Sequence, residues 1–234
     1  MRKEDYIYLI WQEPETHRRM VVGELKREDG FSFFYTHDYK KAIEMGWEML
    51  TPFPEEKVYR NKFLFPAFSS RLPDPKRRDI QEILSKYGME EYDGYELLKR
   101  SGAKLPIDDY EFVDPIFPDD ETVSRNFYVS GVRHATKCAD EDCVRIHGVY
   151  VGDELELVLE PNNPVDQFAV ALYSPRGDKI GYVPSYFSEQ VTHRLKVRMT
   201  YLCKVIEVNQ GKNCREGIRV NLQLPRIEEG MDAG

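Results

Sequence analysis

The spacing of apolar residues changes at one place in this 234-residue chain, and that change limits the possible folds more than any other feature. Up to Asp114, short apolar runs alternate with helical spacings. After Asp114-Pro115-Ile116-Phe117-Pro118-Asp119-Asp120-Glu121, where two prolines and an acidic run break the pattern, the period becomes two. A chain divided in this way predicts two small domains rather than one large one, and 234 residues suffice for both.

The amino-terminal half reads as mixed α/β. Tyr6–Trp11, Met20–Lys26 and Phe31–Tyr35 predict strands, with a turn at Glu28-Asp29-Gly30. His37–Met45 predicts a short helix ending at Gly46. Asp74-Pro75 reads as a helix start, because Asp caps free amides and Pro fits the first helical position, and Ile80, Ile83, Leu84 and Tyr87 follow at helical spacing. A further helix runs from Asp93 to Arg100 and stops at Ser101-Gly102.

In the second half Leu155, Leu157 and Leu159 alternate with Glu154, Glu156, Val158 and Glu160, which fits a strand with one face in the core and one in solvent. Phe168–Tyr173 and Lys179–Val183 flank a turn at Ser174–Asp178. Ser185 is expected to cap a helix reaching Leu195, and Met199–Val208 and Gly217–Leu224 complete a set of five or more short strands. Short strands with one helix in about 100 residues predict a closed or partly closed β-barrel.

Charge bears on function. The formal net charge is −8, of which residues 1–120 carry −6, while residues 185–220 are net +4 through Arg194, Lys196, Arg198, Lys204, Lys212, Arg215 and Arg219. Such a chain is not built to coat nucleic acid, which needs many neutralised phosphates, yet it keeps a local basic face. The longest apolar runs, such as Tyr6–Trp11, are far short of the roughly 18 residues a membrane-spanning helix requires, so no membrane partner is expected. The start Met1-Arg2-Lys3-Glu4-Asp5 does not lead into a secretory signal, which predicts a cytoplasmic protein and free or metal-bound cysteines.

His134, Cys138, Cys143 and His147 form the one metal-like spacing: two thiolates and two imidazoles within 14 residues suit tetrahedral zinc, or they sit in an acidic insertion around Asp140, Glu141 and Asp142. The expectation is no cofactor, with zinc at Cys138, Cys143 and His147 as the alternative. Cys203 and Cys214 read as packing or near-surface thiols. No nucleophile–base signature, His-Glu-x-x-His helix, kinase motif or phosphate loop is present, and His17, His37 and His193 stand alone. The pairs Glu55-Glu56, Glu90-Glu91 and Asp108-Asp109 read as solvated faces, and Trp11 and Trp47 as core residues or partner contacts. An enzyme is not expected.

Val129-Ser130-Gly131-Val132-Arg133-His134, Gly152-Asp153-Glu154-Leu155, Glu160-Pro161-Asn162-Asn163-Pro164-Val165-Asp166-Gln167-Phe168 and Ile180-Gly181-Tyr182-Val183-Pro184 together resemble a HIRAN domain over roughly residues 125–225. The resemblance implies a small OB/SH3-like barrel that captures single-stranded DNA, in its best understood members at a free 3′ end. Arg133 would then offer a planar fork to a terminal phosphodiester, His134 and Tyr182 would offer stacking faces, Asn162 and Asn163 would bond phosphate or base edges, and Asp166 would accept from a sugar hydroxyl. This chain has Val165 and Ser185 where the best-known member has an aromatic residue and a lysine. Pro161-Asn162-Asn163-Pro164 also reads as a plain tight turn whose Asn and Asp cap backbone amides.

Tyr8-Leu9-Ile10-Trp11, Val22-Gly23-Glu24-Leu25, Phe31–Tyr35, Leu64–Asp74 and Tyr95-Glu96-Leu97-Leu98 resemble, in order, the amino-terminal subdomain of HipA-type toxin kinases over residues 5–113. That resemblance implies a protein-binding half, since the same subdomain occurs as a separate small protein restraining a HipA-like kinase. The competing reading is a structural module that carries the barrel.

The expectation is therefore an α+β, two-domain prokaryotic protein: a HipA-N-like module over 1–114, a linker over 115–124, a HIRAN-like barrel with one helix over 125–228, and a flexible tail over 229–234. Its expected function is recognition of single-stranded DNA or a DNA 3′ end. The alternative is an antitoxin-like partner of a separately encoded HipA-like kinase.

Overall fold

The computed structural model describes residues 4–16, 18–135, 148–197, 200–209 and 216–224, with the backbone but not the side chains of Arg133 and His134. The chain divides into two compact units, Met1–Pro115 and Ile116–Gly234.

The first unit is built on a five-stranded antiparallel sheet in the order β4-β3-β2-β1-β5. Its strands are β1 (Tyr6–Gln12), β2 (Arg19–Glu28), β3 (Gly30–Tyr35), β4 (Tyr59–Asn61) and β5 (Tyr110–Val113), and its helices are α1 (Asp38–Glu44), α2 (Pro66–Ser69), α3 (Ile80–Lys86) and α4 (Gly94–Ser101). β1 to β3 and the turn at Glu28-Asp29-Gly30 follow the sequence expectation. β4 and β5, three and four residues long, carry no alternating pattern that would announce them.

Helix ends obey local chemistry where a cap has something to cap. Asp93 Oδ1 accepts from the amides of Tyr95 at 2.9 Å and Glu96 at 3.1 Å, and Gly102 ends α4 at φ 72°, a conformation costly for residues with a Cβ. The helix expected from Asp74 departs from that pattern. Asp74 Oδ1 accepts from Lys76 N at 2.7 Å and closes a turn, but helix begins only at Ile80. Residues 74 to 79 are all exposed, so a helix there would have no apolar face to bury, and tertiary packing supplies most helical stability.

An aromatic core fills one side of this sheet. Phe33 stacks 4.6 Å from Phe53, Phe53 lies 5.3 Å from Phe68, and Phe68 meets Phe112 edge-on at 5.1 Å. Trp11 and Trp47 belong to the same core, and Trp47 Nε1 donates to Tyr110 Oη at 2.7 Å, so neither tryptophan serves as an exposed partner contact. Asp108 is likewise more than a solvated carboxylate, since it clamps the Arg71 guanidinium through two bonds of 2.5 and 2.9 Å.

Among the described residues the second unit holds six strands and two helices: β6 (Val123–Tyr128), α5 (Val132–Ala135), β7 (Glu156–Leu159), β8 (Val170–Tyr173), β9 (Lys179–Tyr182), α6 (Ser185–Lys196), β10 (Leu202–Val208) and β11 (Ile218–Leu224). They form two three-stranded sheets, β10-β11-β6 and β7-β8-β9. Isolated bridges join the sheets at both seams, Ser130 to Tyr182 and Glu154 to Lys204. The strands thus run in a ring that continuous ladders do not close, an OB-like barrel of the partly closed kind. Leu155, Leu157, Leu172, Val191, Val205 and Val220 are among the side chains filling it.

Three details differ from the sequence reading. Within the segment 115–124, Pro115, Ile116, Phe117 and Asp120 are buried while Pro118, Asp119, Glu121 and Thr122 are exposed, and β6 begins at Val123. Pro184, not Ser185, occupies the cap position of α6, and no side chain bonds there. Arg194 is not part of a basic face. It is 2% exposed, and its Nη2 donates to the carbonyls of Phe117 at 3.0 Å and Asp120 at 2.6 Å.

Candidate nucleic-acid interface

One seam of the barrel brings together the segments that carry the candidate residues. Ser130 and Tyr182 exchange backbone bonds of 2.9 and 2.8 Å, which sets the end of β9 against the turn that leads into α5. Gly181 permits this approach: its φ is +150°, and a Cβ there would stand 2.5 Å from Val129 Cγ1 and closer still to the Ser130 carbonyl. Gly131 lies against the Tyr182 ring, where an added Cβ would come 3.3 Å from Cδ2. α5 follows immediately, so the backbone places Arg133 and His134 one short turn beyond Tyr182.

The loop after β7 is tied to the same tyrosine. Glu160 Oε2 lies 3.1 Å from Tyr182 Oη and 3.2 Å from Asn163 Nδ2, while Oε1 accepts from Lys179 Nζ at 2.6 Å. Lys179 Nζ also reaches Tyr182 Oη and sits 4.2 Å from the centre of its ring. Partial burial works to raise the Glu160 carboxyl, but the bonds from Lys179, Asn163 and Tyr182 outweigh it and hold the group below its ordinary value. Burial also works against the Lys179 ammonium, and Glu160 and Tyr182 carry it above the usual lysine value. Neither Glu160 nor Lys179 was singled out by sequence. The available signal was a carboxylate directly before Pro161-Asn162-Asn163-Pro164 and a cation opening the strand that ends in Gly181-Tyr182.

The loop carboxamide and carboxylate do structural work. Asn163 Oδ1 accepts from the amides of Val165 at 3.0 Å and Asp166 at 3.3 Å, and Asp166 Oδ1 accepts from Phe168 N at 2.8 Å. Asp166 Oδ2 accepts from Ser188 Oγ at 2.7 Å, which fastens the loop to α6, and Thr192 Oγ1 donates to the Phe168 carbonyl at 2.9 Å. The turn-capping reading of Asn163 and Asp166 is therefore correct as far as it goes. Carboxylate and carbonyl oxygens keep further lone pairs, so those bonds leave acceptor capacity for a ligand. Asn162 and Val165 are exposed, Val165 at 85%.

Tyr182 is half-buried, with an ammonium over its ring and its hydroxyl tied to Glu160. Its geometry suits a pillar between Gly131 and the loop, and this reduces the stacking area it can offer. Of the basic stretch, Lys196 and Lys204 are exposed and Arg219 pairs with Glu207 at 3.7 Å, while Arg198, Lys212 and Arg215 lie outside the described residues.

Cys138, Cys143 and His147, the candidate zinc ligands, also lie outside the described residues, as do Cys214 and His17. Among the described residues no group of three or more His, Cys, Asp or Glu could hold a metal. Cys203 is buried in the barrel, where desolvation pushes its thiol up to about 12, so it is a packing residue and not a reactive thiol. His37 and His193 are exposed, and His193 meets Phe168 edge-on at 5.7 Å. No described helix is long and apolar enough to cross a membrane.

Comparison with known proteins agrees with this division. Residues 124–225 match the HIRAN domain, and residues 17–106 match the HipA N-terminal domain. The chain thus carries a HipA N-terminal domain followed by a HIRAN domain, both as the sequence motifs anticipate. Among solved structures, the HIRAN domain of human HLTF is similar at 16% identity over 47% of this chain and 83% of that one, with a TM-score of 0.36. A protein from Lactobacillus plantarum is similar at 17% identity over 44% of this chain and 96% of that one, with a TM-score of 0.34. No curated protein matches the chain.

Proposed function

We propose that this chain is a non-enzymatic, cytoplasmic accessory protein whose HIRAN domain captures single-stranded DNA or a DNA 3′ end. The observation that supports the reading is the seam between Ser130, just before α5 with its Arg133 and His134, and Tyr182, whose hydroxyl holds the Glu160–Phe168 loop, inside a region matching the HIRAN domain. The contacts to DNA are assigned to Arg133, His134, Asn162, Asn163 and Asp166, with Tyr182 as pillar and partial stacking surface. A permanently charged fork suits a terminal phosphodiester, and a carboxylate that repels phosphate but accepts from O–H favours an end over an internal linkage.

The test is fluorescence anisotropy with single-stranded oligonucleotides bearing a free or a blocked 3′ end. Binding that weakens at least tenfold in Arg133→Ala and Asp166→Ala is the expected result. No binding to either oligonucleotide at low salt overturns the reading.

A second reading rests on a separate observation, the match of residues 17–106 to the HipA N-terminal domain. In it the first unit is a protein-binding module, and the chain acts as an antitoxin-like partner of a separately encoded HipA-like kinase. The two readings are compatible. A variant that loses DNA binding while still retrieving such a kinase in a pulldown separates them.

A further inference from the structure

The Glu160–Lys179 pair sits where a DNA-binding pocket needs net positive charge, yet its own charge sums to zero. Both side chains remain partly exposed, Glu160 at 27% and Lys179 at 28%, so a ligand can reach them. Glu160 also takes the Asn163 amide and the Tyr182 hydroxyl, and in that way ties the loop and β9 together through one carboxylate. Asn163 is a candidate DNA contact, so a phosphate bound beside it meets the Glu160 carboxylate and the Lys179 ammonium together.

We propose that Lys179 is a phosphate-binding cation of the HIRAN pocket that Glu160 masks, so that this carboxylate sets the affinity and salt dependence of the site. The proposal rests on the DNA-binding reading above and adds to it a residue pair that holds affinity down. The masking follows from charge. A phosphate gains from the ammonium and loses to the carboxylate at nearly the same distance, and the ammonium is already spent on a bond of 2.6 Å.

The experiment compares wild type with Glu160→Gln, Lys179→Met and the double variant, using anisotropy with one single-stranded oligonucleotide across a salt series. Glutamine keeps the shape and one oxygen, which can accept from Lys179, and its amide can donate to Tyr182 Oη, so the bond from Asn163 is given up together with the negative charge. Unmasking one cation on a single strand steepens the log–log salt slope by about 0.7, which is about a fivefold gain in affinity at 0.1 M salt. Lys179→Met leaves Glu160 uncompensated and lowers affinity by a similar factor, and the double variant returns near wild type. If wild type binds and Glu160→Gln changes neither affinity nor slope, the masking is overturned while DNA capture stands. If neither protein binds, both are overturned.

Discussion

Single residues decide whether the interface can form, and Gly181 is the sharpest case. The seam needs the backbone of β9 to approach Ser130 more closely than any Cβ allows, and the residue sits at a positive φ as well. Gly181→Ala should therefore lower stability by about 3 kcal/mol, read as a drop in thermal midpoint, and should also abolish oligonucleotide binding by separating α5 from the loop. An unchanged midpoint would show that the seam is not held as described. This glycine was legible in the motif Ile180-Gly181-Tyr182, because a glycine inside a strand marks close backbone approach. The Glu160–Lys179 contact was not legible, because 19 residues separate the pair and only the β7-β8-β9 meander brings them together.

At the level of elements, α6 carries more of the architecture than its modest apolar face suggests. Its middle holds the candidate loop through Ser188 and Thr192, and near its end Arg194 holds the carbonyls of Phe117 and Asp120. Arg194 is an expensive device: burial depresses the guanidinium against the pull of Asp120, and its Nε and Nη1 are buried without a hydrogen-bond partner among the described residues. Arg194→Met keeps the apolar stem and removes two orphan donors along with two bonds. Global stability should then change by no more than about 1 kcal/mol. The amides of Phe117 and Asp120 should nevertheless exchange faster in deuterium, because the carbonyls that fix this segment lose their donor. A loss beyond about 3 kcal/mol, with exchange at 117–120 unchanged, would contradict this account of Arg194.

Elements were legible in proportion to their local signals. The hairpin of β2 and β3, the capped helix α4 and the alternating Leu155-Leu157 strand announce themselves through turn chemistry and period. β4 and β5 do not, since edge strands of three or four residues are fixed by pairing with neighbours. Arg194 was misread because composition counts a cation as surface, and nothing local says that it points inward toward two carbonyls.

For the whole molecule, the net charge of −8 and the candidate pocket are reconciled by how few phosphates the pocket needs. Most of the negative charge belongs to residues 1–120, whereas the HIRAN region is near neutral, with Arg194 withdrawn from its surface and the Lys179 charge paired. Such a protein can hold one end of a strand without coating its length. The two domain matches and the change of period at Asp114–Glu121 all divide the chain between residues 106 and 124. The most direct test is the salt dependence of wild-type binding to a single-stranded oligonucleotide. The account predicts a log–log slope of about −1 to −2, the release expected from one or two phosphate contacts. A slope steeper than about −4 would mean that the chain tracks many phosphates along the strand, and would contradict capture by one small pocket.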